Sequence, residues 1–303
     1  MNNKGIKVLS LFDGMSCTQI ALNRAGITYS SYHASEIDKY AIKVTQENYP
    51  ETVQLGDIKN VKSGDYDLIV GGSPCQGFSF AGKQLNFEDS RSKLFFEFVR
   101  ILKENKKCYF LLENVRMKKE HQDVISGLLG VEPININSKL VSAQLRNRFY
   151  WTNIPNVKQP NDKGILLSDV IESGYTDREK SRCILESESR PPIKKESIVH
   201  RYFNTGFTTV IFSEPFLHNY IKSKVIKSRP ERCYIMGELE KDNIKIGDND
   251  IRYLTQIELE RLQTIKEGYT SILSRNKAAG LIGNAFTVDV IVHILNNLKE
   301  QIK

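Results

Sequence analysis

A single cysteine stands in unusual company in the run Gly71-Gly72-Ser73-Pro74-Cys75-Gln76-Gly77-Phe78-Ser79. Glycines let the backbone come close to a ligand, and a proline fixes how the chain enters a loop. A thiol just past a strand end can lie beside a helix N-terminus or a cation. Either lowers its pKa and favours the nucleophilic thiolate. The ordinary role of a lone cysteine is that of a small buried apolar residue. The glycines and the polar Gln76 and Ser79 argue against burial, so Cys75 is the candidate nucleophile. Glu113 follows another apolar run, where an acid can manage a proton or merely cap the next helix. Arg146 and Arg148 alternate along a segment that reads as a strand, which would place them on one face. A solvated pair is the plain alternative, but Phe149-Tyr150-Trp151 follows directly and implies that the strand lies against something substantial.

These residues need a frame. The first half of the chain alternates apolar strand-like runs with amphipathic stretches, the pattern of a mostly parallel sheet with helices on both faces. Strands are expected at Lys7 to Phe12, Tyr29 to Ser35, Val53 to Leu55, Tyr66 to Val70 and Cys108 to Leu112. Helices are expected at Thr18 to Ala25, Asp38 to Asn48 and Leu94 to Lys103, with Gly26 and Pro50 ending the first two. Strand, turn and strand follow over Ile134 to Ile154. Residues 155–250 are polar, irregular and richer in proline, and read as a separate small domain. Helical periodicity returns at Thr255 to Ile265 and Val288 to Leu298, so the expected division is 1–154 plus 251–303 against 155–250. Ligands in such sheets bind at the carboxyl ends of the strands. Glu36, Asp57, Pro74-Cys75 and Glu113 all fall at expected strand ends.

The ordered set Phe12-Asp13-Gly14, Pro74-Cys75-Gln76, Glu113-Asn114-Val115, Gln144-Leu145-Arg146-Asn147-Arg148 and Gly283-Asn284 resembles the motif series of DNA cytosine C5-methyltransferases. The resemblance covers about residues 5 to 154 and 252 to 298. Ser10-Leu11-Phe12-Asp13-Gly14, Gly72-Ser73-Pro74-Cys75 and Leu94-Phe95-Phe96-Glu97-Phe98 also resemble the eukaryotic de novo branch, while the compact length looks bacterial or phage-like. The implied fold is an α/β Rossmann-like sheet that binds S-adenosylmethionine, with a smaller target-recognition domain.

The resemblance implies roles. Cytosine C5 is a poor nucleophile, and a thiolate adding at C6 makes it enamine-like. Cys75 would be that thiolate. Glu113 would serve N3, Arg148 the carbonyl oxygen, and Arg146 would support the site electrostatically. Phe12, Asp13, Gly14, Glu36, Ile37, Asp57, Ile58, Pro74, Leu94 and Asn284 would hold the donor, with S-adenosylhomocysteine as product and no metal. Glu36 would take the ribose hydroxyls and Asp57 the adenine amino group. One departure is in the first loop, where Gly14-Met15-Ser16-Cys17 lacks the second and third glycines common in the family. The absence of a Gly-x-Gly-x-x-Gly fingerprint argues against a nicotinamide cofactor.

The target base of a duplex must leave the stack to be reached. The polar segment from Gln76 to Lys93, with Ser79, Lys83 and Arg91, is expected to be a mobile loop over DNA. In the middle region Lys222, Lys224, Lys227, Arg229 and Arg232 would grip phosphates, with a subset reaching base edges, and Gln144 is a further candidate contact. The aromatics upstream, Tyr202, Phe203, Phe207, Phe212, Phe216 and Tyr220, read as a mini-core. Net charge is +7 and pI about 9.0, which suits a polyanionic partner. The five cysteines are widely spaced without Cys-x-x-Cys, against a disulfide framework or zinc site. No run approaches the ~18 uninterrupted apolar residues of a membrane helix, and Met1 to Gly5 leads into no signal-like apolar region. A cytoplasmic monomer acting on double-stranded DNA is expected, with a cognate restriction endonuclease as a possible partner. Two other readings compete: an RNA cytosine methyltransferase, whose Cys-Phe-Thr signature is not evident, and an inactive DNA-binding regulator.

Overall fold

The computed structural model describes residues 5–73, 93–105, 107–205, 208–227 and 234–302. In chain order the strands are β1 (Ile6–Leu11), β2 (Tyr29–Ser35), β3 (Val53–Gln54), β4 (Leu68–Gly72), β5 (Tyr109–Val115), β6 (Ile134–Asn137), β7 (Asn147–Thr152), β8 (Val210–Phe212) and β9 (Ile251–Tyr253). The helices are α1 (Cys17–Ala25), α2 (Lys39–Asn48), α3 (Lys93–Glu104), α4 (Lys119–Leu129), α5 (Lys195–His200), α6 (Pro215–Lys227), α7 (Tyr234–Lys241), α8 (Gln256–Leu262), α9 (Arg275–Asn284) and α10 (Val288–Lys299). They form two compact units, Met1–Val141 with Asn147–Asp162 and Ala285–Lys303, and Ser142–Arg146 with Lys163–Asn284.

The first unit is an α/β fold on a sheet whose described strands run in the order β3-β2-β1-β4-β5-β7-β6. β1 to β5 are parallel, and β7 pairs antiparallel with both β5 and β6. The order reverses at β1, with β2 on one side and β4 on the other. In open α/β sheets a crevice opens at the carboxyl ends beside such a switch point. The central strands are apolar at successive positions because helices cover both faces. Leu9, Leu11, Ile69, Phe95, Phe98, Ile101, Leu112 and Trp151 are fully buried in one cluster. Burial of each such side chain contributes about 1.5–3 kcal/mol. α3 supplies Phe95, Phe98 and Ile101 at helical spacing, as its sequence pattern predicts.

Local chemistry sets the helix ends. α1 stops at Gly26, which takes a left-handed φ of 64° and donates its N–H to Asn23. The Lys299 ammonium of α10 donates to the Ala25 carbonyl at 2.8 Å, and Arg24 pairs with Asp289 at 2.9 Å. These bonds tie the last helix of the chain to the first. α2 starts at Asp38, whose carboxylate accepts from Tyr40 and Ala41 N–H.

The second unit has its own core of Ile198, Val199, Tyr202, Val210, Phe212, Leu217, Ile221, Leu239 and Ile251, beneath the β8–β9 pair. α8 opens with a reciprocal capping box between Thr255 and Glu258. The division differs from the expected 155–250. Ser142–Arg146 and the stretch through α9 cluster here because Ser142 and Gln144 donate to the Leu262 carbonyl and β9 pairs with β8. Within Arg275–Lys299 an 18-residue stretch is apolar enough by composition to cross a membrane, at a mean hydropathy of 1.7, but 67% of that stretch is buried and the run is broken into two helices.

Candidate active site

The loop after β1 is held by an unusual set of bonds. Phe12, Gly14 and Ser16 all take left-handed backbone angles, with φ of 57°, 59° and 59°. For a residue with a Cβ this costs about 1–2 kcal/mol. Ser16 occupies a position where the related pattern carries glycine, and its hydroxyl offsets the strain. It donates to the Asp13 carboxylate and accepts from Gln19 Nε2 at 3.2 Å. Tyr32 donates to the other Asp13 oxygen at 2.6 Å. The Asp13 side chain is therefore turned into the protein. Its burial pushes the pKa up to about 6, against the opposing pull of the bonds from Ser10, Ser16 and Tyr32. Burial likewise raises Tyr32 well above the usual phenol range, so it stays a donor.

Glu36 directly follows β2 and is aimed by the backbone. One carboxylate oxygen accepts from Gly14 N–H at 2.8 Å, the other from Ile37 N–H at 2.7 Å and Asp38 N–H at 2.9 Å. The chain ends of β1 and β2 are thus locked together. Ile37 is 75% exposed, an unusual place for an apolar side chain without a ligand. Asp57 caps a short turn by accepting from Lys59 N–H at 3.0 Å. Ile58, expected beside the donor, is turned into the main core instead, and Leu94 packs on the edge of that core.

The edge formed by β4 and β5 is tightly built. A Cβ on Gly71 would lie 2.9 Å from the Phe98 ring, and one on Gly72 would lie 2.8 Å from the Phe286 ring and 3.6 Å from a Glu113 oxygen. Close packing, rather than a special φ, demands these glycines. Asn114, 1% exposed, donates to Ser73 Oγ at 3.0 Å and accepts from Val115 N–H at 2.8 Å. It ties the residue before Pro74 to the strand that carries Glu113. Pro74, Cys75, Gln76, Ser79, Lys83 and Arg91 lie outside the described residues.

Glu113 and Arg148 meet across β5 and β7. Val115 pairs with Arg148 and Glu113 with Tyr150 in the ladder, so the guanidinium reaches along the strand. Arg148 Nε lies 2.9 Å from Glu113 Oε1, both side chains being about nine-tenths buried. The N–H is not aligned on that oxygen, and Oε1 is without a hydrogen-bond donor among the described residues. Arg148 also donates to the Asn147 carbonyl at 2.9 Å.

Arg146 lies before β7, outside the strand that holds Arg148, so the expected shared face is not formed. Within the second unit its guanidinium donates to the Ile184 and Gly283 carbonyls at 3.2 and 3.1 Å and contacts Cys183 Sγ at 3.5 Å. Gln144, expected at a DNA surface, is fully buried. Its amide accepts from Ile184 N–H at 2.9 Å and donates to the Leu262 carbonyl at 3.2 Å. Strand-like alternation puts Ser142, Gln144 and Arg146 on one side, where all three bind main-chain groups. Gly283 must be glycine because a Cβ there would lie 2.4 Å from the Leu185 backbone. Asn284, the last residue of α9, is exposed.

Among the basic candidates, Lys222 is exposed and 3.8 Å from Asp177, while Lys224 is paired with Asp242. Lys227 ends α6, and Arg229 and Arg232 lie outside the described residues. Tyr202, Phe203 and Phe212 form the expected mini-core, but Phe216 does not join it and is 63% exposed. Among the described residues, no three His, Cys, Asp or Glu side chains are grouped to hold a metal.

The family model for C-5 cytosine-specific DNA methylases matches residues 6–129 and 137–300. The chain belongs to this family. It is 30% identical over 250 residues to the orphan methyltransferase M.Rho11sI of Bacillus phage rho11s, a match covering 79% of this chain and 49% of that protein. It is 34% identical over 219 residues to the type II methyltransferase M.NgoBV of Neisseria gonorrhoeae, covering 63% of this chain and 49% of that protein. The chain thus spans about half the length of these relatives. The fold is similar to a DNMT2 variant of Spodoptera frugiperda, with a TM-score of 0.70 at 19% identity over 97% of this chain and 99% of that one. It is also similar to the methyltransferase EhMeth of Entamoeba histolytica, with a TM-score of 0.73 at 16% identity over 99% and 100%.

In this family member, sequence reasoning passed over Tyr32, Ser73, Asn114 and Phe286. Asn114 was in plain view within Glu113-Asn114-Val115, yet its partner Ser73 is 41 residues away. Tyr32 sits inside an expected strand, and nothing local marks its hydroxyl as a partner of Asp13. Phe286 meets Gly72 across 214 positions, a contact with no sequence signal.

Proposed function

We propose that this protein is a DNA (cytosine-5-)-methyltransferase, moving a methyl group from S-adenosylmethionine to C5 of a cytosine flipped out of duplex DNA. The observation that carries the reading is the buried Glu113–Arg148 pair, set beside the Gly72-Ser73 strand end that leads into Pro74-Cys75. Cys75 adds as a thiolate to C6 of the ring. The Glu113 carboxyl supplies a proton to N3 as negative charge builds on the ring. The Arg148 guanidinium faces the carbonyl oxygen. C5 then takes the methyl group, the C5 proton leaves to a base, and the thiolate is expelled as the ring double bond re-forms.

The residues present fit the methyl-donor substrate. Glu36 is fixed by three N–H groups with carboxylate lone pairs left for ribose hydroxyls, and the exposed Ile37 offers an apolar surface to a purine. When bound, S-adenosylmethionine supplies an electrophilic sulfonium methyl group. Phe12, Gly14, Asp57, Pro74, Leu94 and Asn284 complete the proposed donor set. Asp13 serves it indirectly, by holding the loop, and Ile58 by supporting the turn at Asp57. Arg146 is assigned a positioning role, since its guanidinium binds main-chain carbonyls. The second unit is assigned target recognition, and a cytoplasmic site of action accords with bacterial and phage relatives.

Sequencing C5-methylcytosine in duplex DNA treated with the pure protein and donor tests activity and target together. If no position gains the mark while donor binding is intact, the proposal fails. Radiolabel that enters transfer RNA and not duplex DNA would favour the RNA reading.

A further inference from the structure

α6 is anchored on one side only. Leu217, His218 and Ile221 are buried in the second core, and His218 Nε2 sits 3.0 Å from Asp177 there. The opposite side carries Phe216, Asn219 and Ser223, spaced i, i+3 and i+7 on a single ridge, with Tyr220 at its edge packed partly against the same core. Phe216, Asn219 and Ser223 are exposed and Tyr220 is half-buried. The Phe216 and Tyr220 rings lie 6.0 Å apart, and the Tyr220 hydroxyl and the Lys224 ammonium share Asp242. Lys222 and Lys224 flank the ridge on its two sides. The helix has three lysines and no acidic residue.

We infer that this ridge is the surface with which the second unit reads duplex DNA, an assignment that rests on the function proposed above. Four features point to nucleic acid. A lysine-only helix complements phosphates on either side of a groove. An exposed Asn and Ser are side chains that hydrogen-bond base edges, and an exposed Phe is suited to a thymine methyl or an unstacked base. The helix is anchored from behind by the buried Leu217, His218 and Ile221, which present the ridge outward. Its width fits a major groove, which admits one α-helix. From Phe216 to Ser223 the ridge runs about 10 Å at 1.5 Å per residue, close to three base steps of about 3.4 Å. α6 therefore reads a block of about three adjacent base pairs.

The test is sequencing of C5-methylcytosine on a random-sequence duplex library, comparing wild type with Asn219→Ala, Ser223→Ala and Phe216→Ala. Thermal unfolding confirms that these surface variants fold, and Asn219→Asp gives a second, isosteric probe. Loss of a base contact should weaken discrimination at one position roughly 5- to 150-fold, with the affected positions adjacent to one another. Lys222→Gln and Lys224→Gln should instead weaken binding evenly across sequences and lower the salt slope by about 1 each. Folded, active ridge variants with the wild-type sequence profile would overturn the inference while leaving the proposed function intact. A sedimenting mass that falls in Phe216→Ala, with the profile unchanged, would assign the ridge to a second copy of the chain and also overturn it. Failure of the wild type to methylate any duplex would instead reject the underlying function.

Discussion

Replacing Asp13 by Asn should change how stability depends on pH, in a direction fixed by burial. The carboxyl is 7% exposed and its pKa rises from 3.8 to about 6, chiefly because burial penalises the charged form. The folded state therefore holds this proton more tightly than the unfolded chain does. Stability from this group is fully present below about pH 4 and is lost as pH rises through about 6. The gap between the two pKa values corresponds to roughly 3 kcal/mol. Asn cannot ionise, and its amide can still meet Tyr32 and Ser16, whose hydroxyls rotate to donate or accept. The unfolding free energy of wild type minus that of Asp13→Asn should thus fall by up to about 3 kcal/mol between pH 4 and 7, then flatten. Urea unfolding of both proteins at half-unit pH steps measures this difference, and groups that titrate alike in both cancel. A difference that does not vary with pH would refute the reasoning, as would one that rises with pH.

Ser16 offers a related comparison. Ser16→Ala keeps the left-handed strain and loses the bond to Asp13, whereas Ser16→Gly loses the bond but relieves the strain. Thermal unfolding should rank wild type above Ser16→Gly and Ser16→Gly above Ser16→Ala, the last step being about 1 kcal/mol, or roughly 2–4 °C. Gly72→Ala should cost about 1–3 kcal/mol by overpacking against Phe286, and adding Phe286→Leu should recover part of the loss in a double-mutant cycle. Glu113→Gln and Arg148→Lys should each lower kcat about 100-fold or more with circular dichroism unchanged, and the double variant should lose less than the sum. Arg146→Met should lower Tm, because it strands the buried carbonyls of Ile184 and Gly283 at about 1–3 kcal/mol each. A purely electrostatic role at the reacting ring would leave Tm where it is.

The parallel half of the sheet was legible because its strands are apolar runs stopped by polar or glycine residues. Lys7 to Phe12 and Tyr29 to Ser35 fall within a residue or two of β1 and β2. Glu36 could likewise be found by position just after β2, whereas β5 runs on through Glu113 to Val115, because β7 pairs with it there. α4 escaped notice because only Ile125 and Ser126 are buried on it, too thin a stripe to register as periodic. α6 has apolar side chains on both its buried and its exposed side, so its period is masked and the region reads as irregular. α9 contains Gly280 and Gly283, which weaken a helical reading. Both are there because the backbone and Ser189 near residues 185–189 press against them. The arginines show the limit most clearly. Arg146 and Arg148 are two residues apart and look alike, yet one is bound to main-chain carbonyls and the other to Glu113. Only tertiary placement separates them.

The central claim is that Cys75 attacks a cytosine in duplex DNA, and a trapped adduct tests it most directly. Duplex DNA with 5-fluorocytosine at the methylated position should accumulate a covalent complex in the presence of donor, because the C5 fluorine cannot leave as the proton does. Intact mass spectrometry should show protein, DNA strand and one methyl group joined in the wild type, and no such species in Cys75→Ala. A complex of equal yield in Cys75→Ala would contradict the account, as would its absence in wild type that methylates ordinary cytosine.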